Sequence, residues 1–150
     1  MDEETDVREL RLGVYATPGA VRELLRQAHE LLARHSSTAW QLTSRAETAP
    51  TDEGDEGDER SLAELYPELV EQWRTAHPGA DPGPRRVTEL RVGVRASAAE
   101  ARELSEALVR LACPDVEHTG PCALPWSASV LDAEDEETRR RLLARYGPLA

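Results

Sequence analysis

The sequence predicts an α+β fold: a ferredoxin-like βαββαβ sandwich from an internal duplication, with an inserted helix between the halves and a short C-terminal helix. Three observations predict it. Residues 9–17, ELRLGVYAT, return as residues 89–97, ELRVGVRAS, with six positions identical in register. Each copy alternates apolar and other residues, the period of a strand buried on one face. Each copy then runs into a helix start and an apolar stripe. A single strand–helix–strand unit cannot bury its sheet face and its helix stripe alone, and two separate domains of about 75 residues would be marginal. Two copies sharing one core is the economical solution, with the two echo strands at the centre.

Taken in order, residues 1–7 are acidic and aperiodic, a lead-in to the first βαβ half at residues 8–46. In strand one Leu10, Leu12, Val14 and Ala16 alternate with Arg11, Gly13 and Tyr15. Thr17 is placed to cap a helix with Pro18 at its first position, and Val21, Leu24, Ala28, Leu31 and Leu32 make the stripe that follows. Trp40 opens a second strand, WQLTSRA. Residues 47–60, ETAPTDEGDEGDER, form an acidic loop whose glycines fall out of step with the EF-hand pattern, so calcium is not the expected reading. Residues 61–77 read as the inserted helix: Ser61 and Glu64 make a capping box, and Leu62, Leu65, Tyr66, Leu69, Val70 and Trp73 share one face, with Pro67 dividing the segment.

The second βαβ half covers residues 87–132. Leu90, Val92, Val94 and Ala96 repeat the strand, Ser97 and Glu100 form a capping box, and Ala101, Leu104, Leu108, Leu111 and Ala112 repeat the stripe. Trp126 begins the last strand, WSASVLDA. A helix at residues 138–146 carries acid before it and arginine towards its end, the order that suits the helix dipole.

Composition bounds the function. The 150 residues fit one domain, and no stretch approaches the roughly 20 apolar residues of a membrane span. Met1 is followed by DEETD, so a soluble cytoplasmic protein is expected. All 18 basic residues are arginine and phenylalanine is absent, which reads as coding bias from a GC-rich bacterial genome. Net charge is -11, with the acid concentrated in the lead-in, the 47–60 loop and residues 132–137. That balance argues against nucleic acid as a partner while leaving room for a local arginine site.

Two constellations stand out. Cys113, His118 and Cys122 could offer three ligands to zinc, but the fourth is missing and paired CxxC spacing is absent, so ordinary thiols are the preferred reading and no metal or cofactor is expected. The second is the sheet face opposite the apolar one, where Arg11, Tyr15, Arg91 and Arg95 are expected to project together around Gly13 and Gly93. Guanidiniums there would suit carboxylates or phosphates. The inserted helix, through Tyr66 and Trp73, either covers that face or adds to its binding surface. Phosphate-binding loops, nucleophile elbows and HExxH are lacking. The functional expectation is therefore a non-catalytic protein-interaction or adaptor module, self-association included, that uses the open sheet face and the inserted helix. The alternative is a binding domain or minor enzyme for a small anionic metabolite, with Tyr15 or His118 handling protons.

Overall fold

Alternating apolar positions build a four-stranded antiparallel sheet in the order β2-β3-β1-β4, seen in a computed structural model that describes residues 5–35, 39–46, 65–113, 125–132 and 135–149. The strands are β1 (Asp6–Ala16), β2 (Trp40–Ala46), β3 (Arg86–Ala96) and β4 (Trp126–Leu131). Among the described residues the helices are α1 (Pro18–His35), α2 (Pro67–Ala76), α3 (Ala98–Ala112) and α4 (Glu136–Arg145), and a 3-10 turn at Gly147–Leu149 follows. The two echo strands lie side by side at the centre. β1 therefore pairs with β3 and β4, never with β2.

Each helix begins where its caps direct. Thr17 Oγ1 accepts the Ala20 N–H at 3.2 Å, with Pro18 as the first helical residue. Ser97 and Glu100 exchange both bonds of a capping box at 3.1 Å. Asp135 accepts the Thr138 N–H at 2.7 Å and starts α4 two residues before the expected position. Pro67 occupies the first turn of α2, where a missing N–H costs nothing, in line with a main helix that begins at this proline. The proposed Ser61–Glu64 capping box and the acidic loop lie outside the described residues.

Two apolar layers result, one on each side of the sheet. On one side Leu10, Leu12, Val14, Leu90, Val92 and Val94 meet Leu24, Ala28, Leu32, Leu104 and Leu108 of α1 and α3. On the other side two smaller clusters share the surface. Tyr15 and Val87 sit under Tyr66, Leu69 and Trp73, the α2 contribution, while Val7 sits under Leu142, Tyr146 and Leu149, the contribution of α4 and its turn. The sheet face expected to be open is therefore covered, because both additional helices are amphipathic and have no other apolar surface to bury against. At about 25 cal/mol per Å² of buried apolar area, leaving those rings in water would forfeit several kcal/mol.

Candidate functional site

The covered face places the conspicuous side chains in two matching clusters. In the β1–β3 register Arg11 lies opposite Arg91, Glu9 opposite Gly93, and Gly13 opposite Glu89. Over Gly93 lies the ring of Tyr146, whose hydroxyl donates to Glu9 at 2.6 Å. Over Gly13 lies the ring of Tyr66, whose hydroxyl donates to Glu89 at 2.5 Å. Arg11 Nε donates to Glu9 at 2.5 Å, Arg91 Nε donates to Glu89, and Arg145 adds a bond of 2.7 Å to Glu9. Glycine is required at both strand positions: a Cβ on Gly13 would sit 2.6 Å from Tyr66 Cε1, and one on Gly93 would meet the Tyr146 ring closer still.

Electrostatics match this packing. Burial pushes the Glu9 carboxyl up, but the Tyr146 hydroxyl and the charges and bonds of Arg11 and Arg145 outweigh it and hold the group below its ordinary value. Burial, with the bond to a carboxylate, pushes both phenols above theirs, Tyr66 by Glu89 and Tyr146 by Glu9. A carboxylate made less basic and phenols made less acidic are poor proton carriers near neutral pH. Buried carboxylates with several donors are stable ions. The chemistry available to these clusters is to fix two helices to a sheet.

The residues expected to act together are separated. Arg11 and Arg91 meet at the middle of the central strands, but Tyr15 lies opposite Val87 and Arg95 opposite Val7, at opposite ends of the β1–β3 pair. Four residues of strand span about 13 Å, so antiparallel pairing carries Tyr15 and Arg95 about that far from the centre in opposite directions. Tyr15, Tyr66, Trp73 and Arg91 are buried, the Arg11 side chain is 24% exposed, and Arg95 alone of that set is exposed. Trp73 is enclosed by Tyr15 edge-on at 6.1 Å, His77 stacked at 4.6 Å and the Arg85 guanidinium at 4.8 Å. The constellation predicted as a binding surface is thus mainly internal. Its missed members are Glu9, Glu89, Arg145 and Tyr146; the two glutamates stand two residues before the arginines in the echo, on the same strand face.

The cysteine loop is only partly described. Cys113 is buried at the C-cap of α3, where its N–H donates to Val109 O at 2.8 Å, and His118 and Cys122 lie outside the described residues. Among the described residues no group of three His, Cys, Asp or Glu is gathered for a metal ion, and no helix is long and apolar enough to cross a membrane.

The outward side of α2 remains accessible. A hollow of about 870 Å³ lies against it, lined by Pro67, Glu68, Glu71, Gln72, Thr75 and Ala76. Glu68 and Glu71 are exposed and make no ion pair among the described residues, unlike the carboxylates on α1, where Arg26 bonds both Glu23 and Glu30.

No protein-family model and no curated protein matches the chain. Among solved structures, the designed protein "De novo designed protein Foldit4" aligns with a TM-score of 0.49 at 8% identity, covering 85% of this chain and 98% of its own. A putative aminohydrolase from methicillin-resistant Staphylococcus aureus aligns with a TM-score of 0.42 at 11% identity, over 87% of this chain and 30% of its own. Both scores fall below 0.5, and neither likeness bears on function.

Proposed function

We propose that the chain is a non-catalytic protein-interaction module that meets its partner through the outward face of α2. The order β2-β3-β1-β4 with helices between the strands supports a ferredoxin-like βαββαβ arrangement, and the matching Glu–Arg–Gly sets of β1 and β3 support an internal duplication. The observation that carries the functional reading is the division of α2 into two faces. Leu69 and Trp73 anchor it, while Glu68 and Glu71, with no ion pair among the described residues, stand beside Pro67, Thr75 and Ala76 along a hollow. Unpaired carboxylates next to apolar surface suit a partner segment carrying Arg or Lys between apolar residues. The inserted helix of the sequence reading is kept as the contact element; the sheet face gives way to the helix that covers it.

Affinity capture tests this with the intact chain, comparing wild type with the Glu68→Arg/Glu71→Arg variant and with a control altered at Glu23 and Glu30 on α1. A stoichiometric protein retained by wild type and control but lost by the α2 variant is expected. Equal retention by all three would sink the α2 face as the contact. The metabolite reading is less favoured because Arg11, Arg91 and Arg145 already bond carboxylates of this chain. A melting shift with inorganic phosphate or a dicarboxylate, lost in Arg95→Ala, would restore it.

A further inference from the structure

The two clusters on the covered face match each other at one constant sequence spacing. Glu9, Arg11, Gly13 and Tyr66 recur as Glu89, Arg91, Gly93 and Tyr146, and Leu69 recurs as Leu149. The residue just before each tyrosine breaks the match. It is Leu65 in the first set, packed with the α2 cluster, and Arg145 in the second. That difference sets how many arginines each glutamate meets. Glu89, fully buried, is held by Arg91 and Tyr66. Glu9, buried to the same degree, is held by Arg11 and Tyr146 in the same way, and by Arg145 at 2.7 Å in addition.

The Glu89 cluster acts as an internal control: one arginine and one tyrosine suffice to hold a buried glutamate in this fold, so Arg145 is surplus to that task. Around Glu9 two guanidiniums face one carboxylate, and one positive charge is left over. Asp6, at the start of β1, and Asp132, just after β4, bond Arg139 and Arg8 and do not supply the missing charge. Both guanidiniums can be reached. Side-chain exposure is 24% for Arg11 and 31% for Arg145, against 10% for Arg91 and none for Glu9. Among the described residues Arg11 bonds only through Nε and Arg145 only through Nη1, so the other N–H groups of each fork remain for a ligand. Ser129, exposed on β4, stands opposite Arg11 in the register, where side chains share a face.

We propose that Arg11 and Arg145, with Ser129 beside them, form a binding site for the carboxylate of a small molecule. A carboxylate brings the single negative charge that the cluster lacks, and its two oxygens suit the paired donors of a planar guanidinium. A phosphate monoester, close to doubly charged at pH 7, would overshoot that charge beside buried Glu9. The site lies under α4, away from the outward face of α2. It therefore goes beyond the interaction reading and stands whether or not α2 captures a partner.

The test is an NMR titration of the intact chain with sodium acetate, against sodium chloride at equal ionic strength, following the Nε–H signals of the arginines. Saturating shifts at Arg11 and Arg145 in the millimolar range, absent with chloride, are expected. Arg145→Leu copies the arrangement around Glu89, so it should fold with a melting midpoint near that of wild type and bind acetate at least about tenfold more weakly. If it fails to fold, Arg145→Lys takes its place, because it keeps the charge beside Glu9 and removes the planar fork; acetate binding should again weaken. Arg95→Ala, which alters an exposed arginine outside the cluster, should bind as wild type does. A wild type whose Arg11 and Arg145 signals do not saturate overturns the proposal, as does acetate binding that survives loss of the Arg145 fork or disappears in Arg95→Ala. Methyl phosphate binding more tightly than acetate at the same two arginines would overturn the choice of a carboxylate.

Discussion

The two tyrosines are the residues on which the covered face turns. Each carries a ring into the space left by a strand glycine and a hydroxyl to a buried glutamate. Tyr66→Phe or Tyr146→Phe should cost about 1–3 kcal/mol in a denaturant titration, since each leaves a buried carboxylate one donor short. The pH profile follows from the directions of the shifts. In the folded chain both phenols hold their protons above the ordinary value of 10, so stability should fall as pH rises past it, and less so in the Phe variants. Glu9 is held below its ordinary 4.5, so its contribution is present above that value and fades as pH drops below it. Tyr146→Phe should weaken that acid limb as well; identical profiles would contradict the assignment. The arginines divide in the same way. Arg95→Glu on the exposed end of β3 should change stability by at most about 0.5 kcal/mol. Arg91→Glu, which opposes buried Glu89, should cost more than about 3 kcal/mol.

At the scale of elements, α2 and α4 play matching parts from opposite ends of one sheet face. α4 is held by Leu142, Tyr146 and Leu149 on Val7 and is capped by Asp135, while α2 is held by Leu69 and Trp73. Replacing Asp135 or Ser97 by Ala removes a cap and should lower stability by about 1 kcal/mol each, read as a shift in melting midpoint. A change near zero at Ser97 would mean the capping box contributes little beyond what solvent supplies. These caps were legible in sequence because a cap is a local pattern of three or four residues. The apolar sides of α1 and α3 were legible for the same reason. What α2 and α4 cover was not, since a stripe at helical spacing states that a helix must dock and leaves open where.

For the whole molecule, strand order decides how the two sequence halves depend on each other. β1 pairs with β3 and β4, and β2 pairs only with β3, so every bridge of the sheet joins residues from the first half to residues from the second. Expressed separately, residues 1–60 and 61–150 should each lack a cooperative melting transition, and an equimolar mixture should recover helical signal by circular dichroism. A sharp independent transition in either piece would show that its helices and strands bury enough surface alone. The intact chain should unfold in one step for the same reason, because neither half keeps its sheet partners when the other leaves.

The sequence by itself determined the four alternating strands, the helix starts at Thr17 and Ser97, and the placing of the echo strands together. All of these follow from spacing within a few residues or from the need to share one core. Tertiary structure decided which polar residues became internal. Glu9 meets Tyr146 across 137 positions and Glu89 meets Tyr66 across 23, and antiparallel pairing sends Tyr15 and Arg95 to opposite ends while opposing Arg11 to Arg91. Such pairings depend on strand register and on where two amphipathic helices come to rest. Neither is a local property of the chain, so the arginine face that reads as a binding surface in sequence becomes, once the helices dock, the charged interior that holds them.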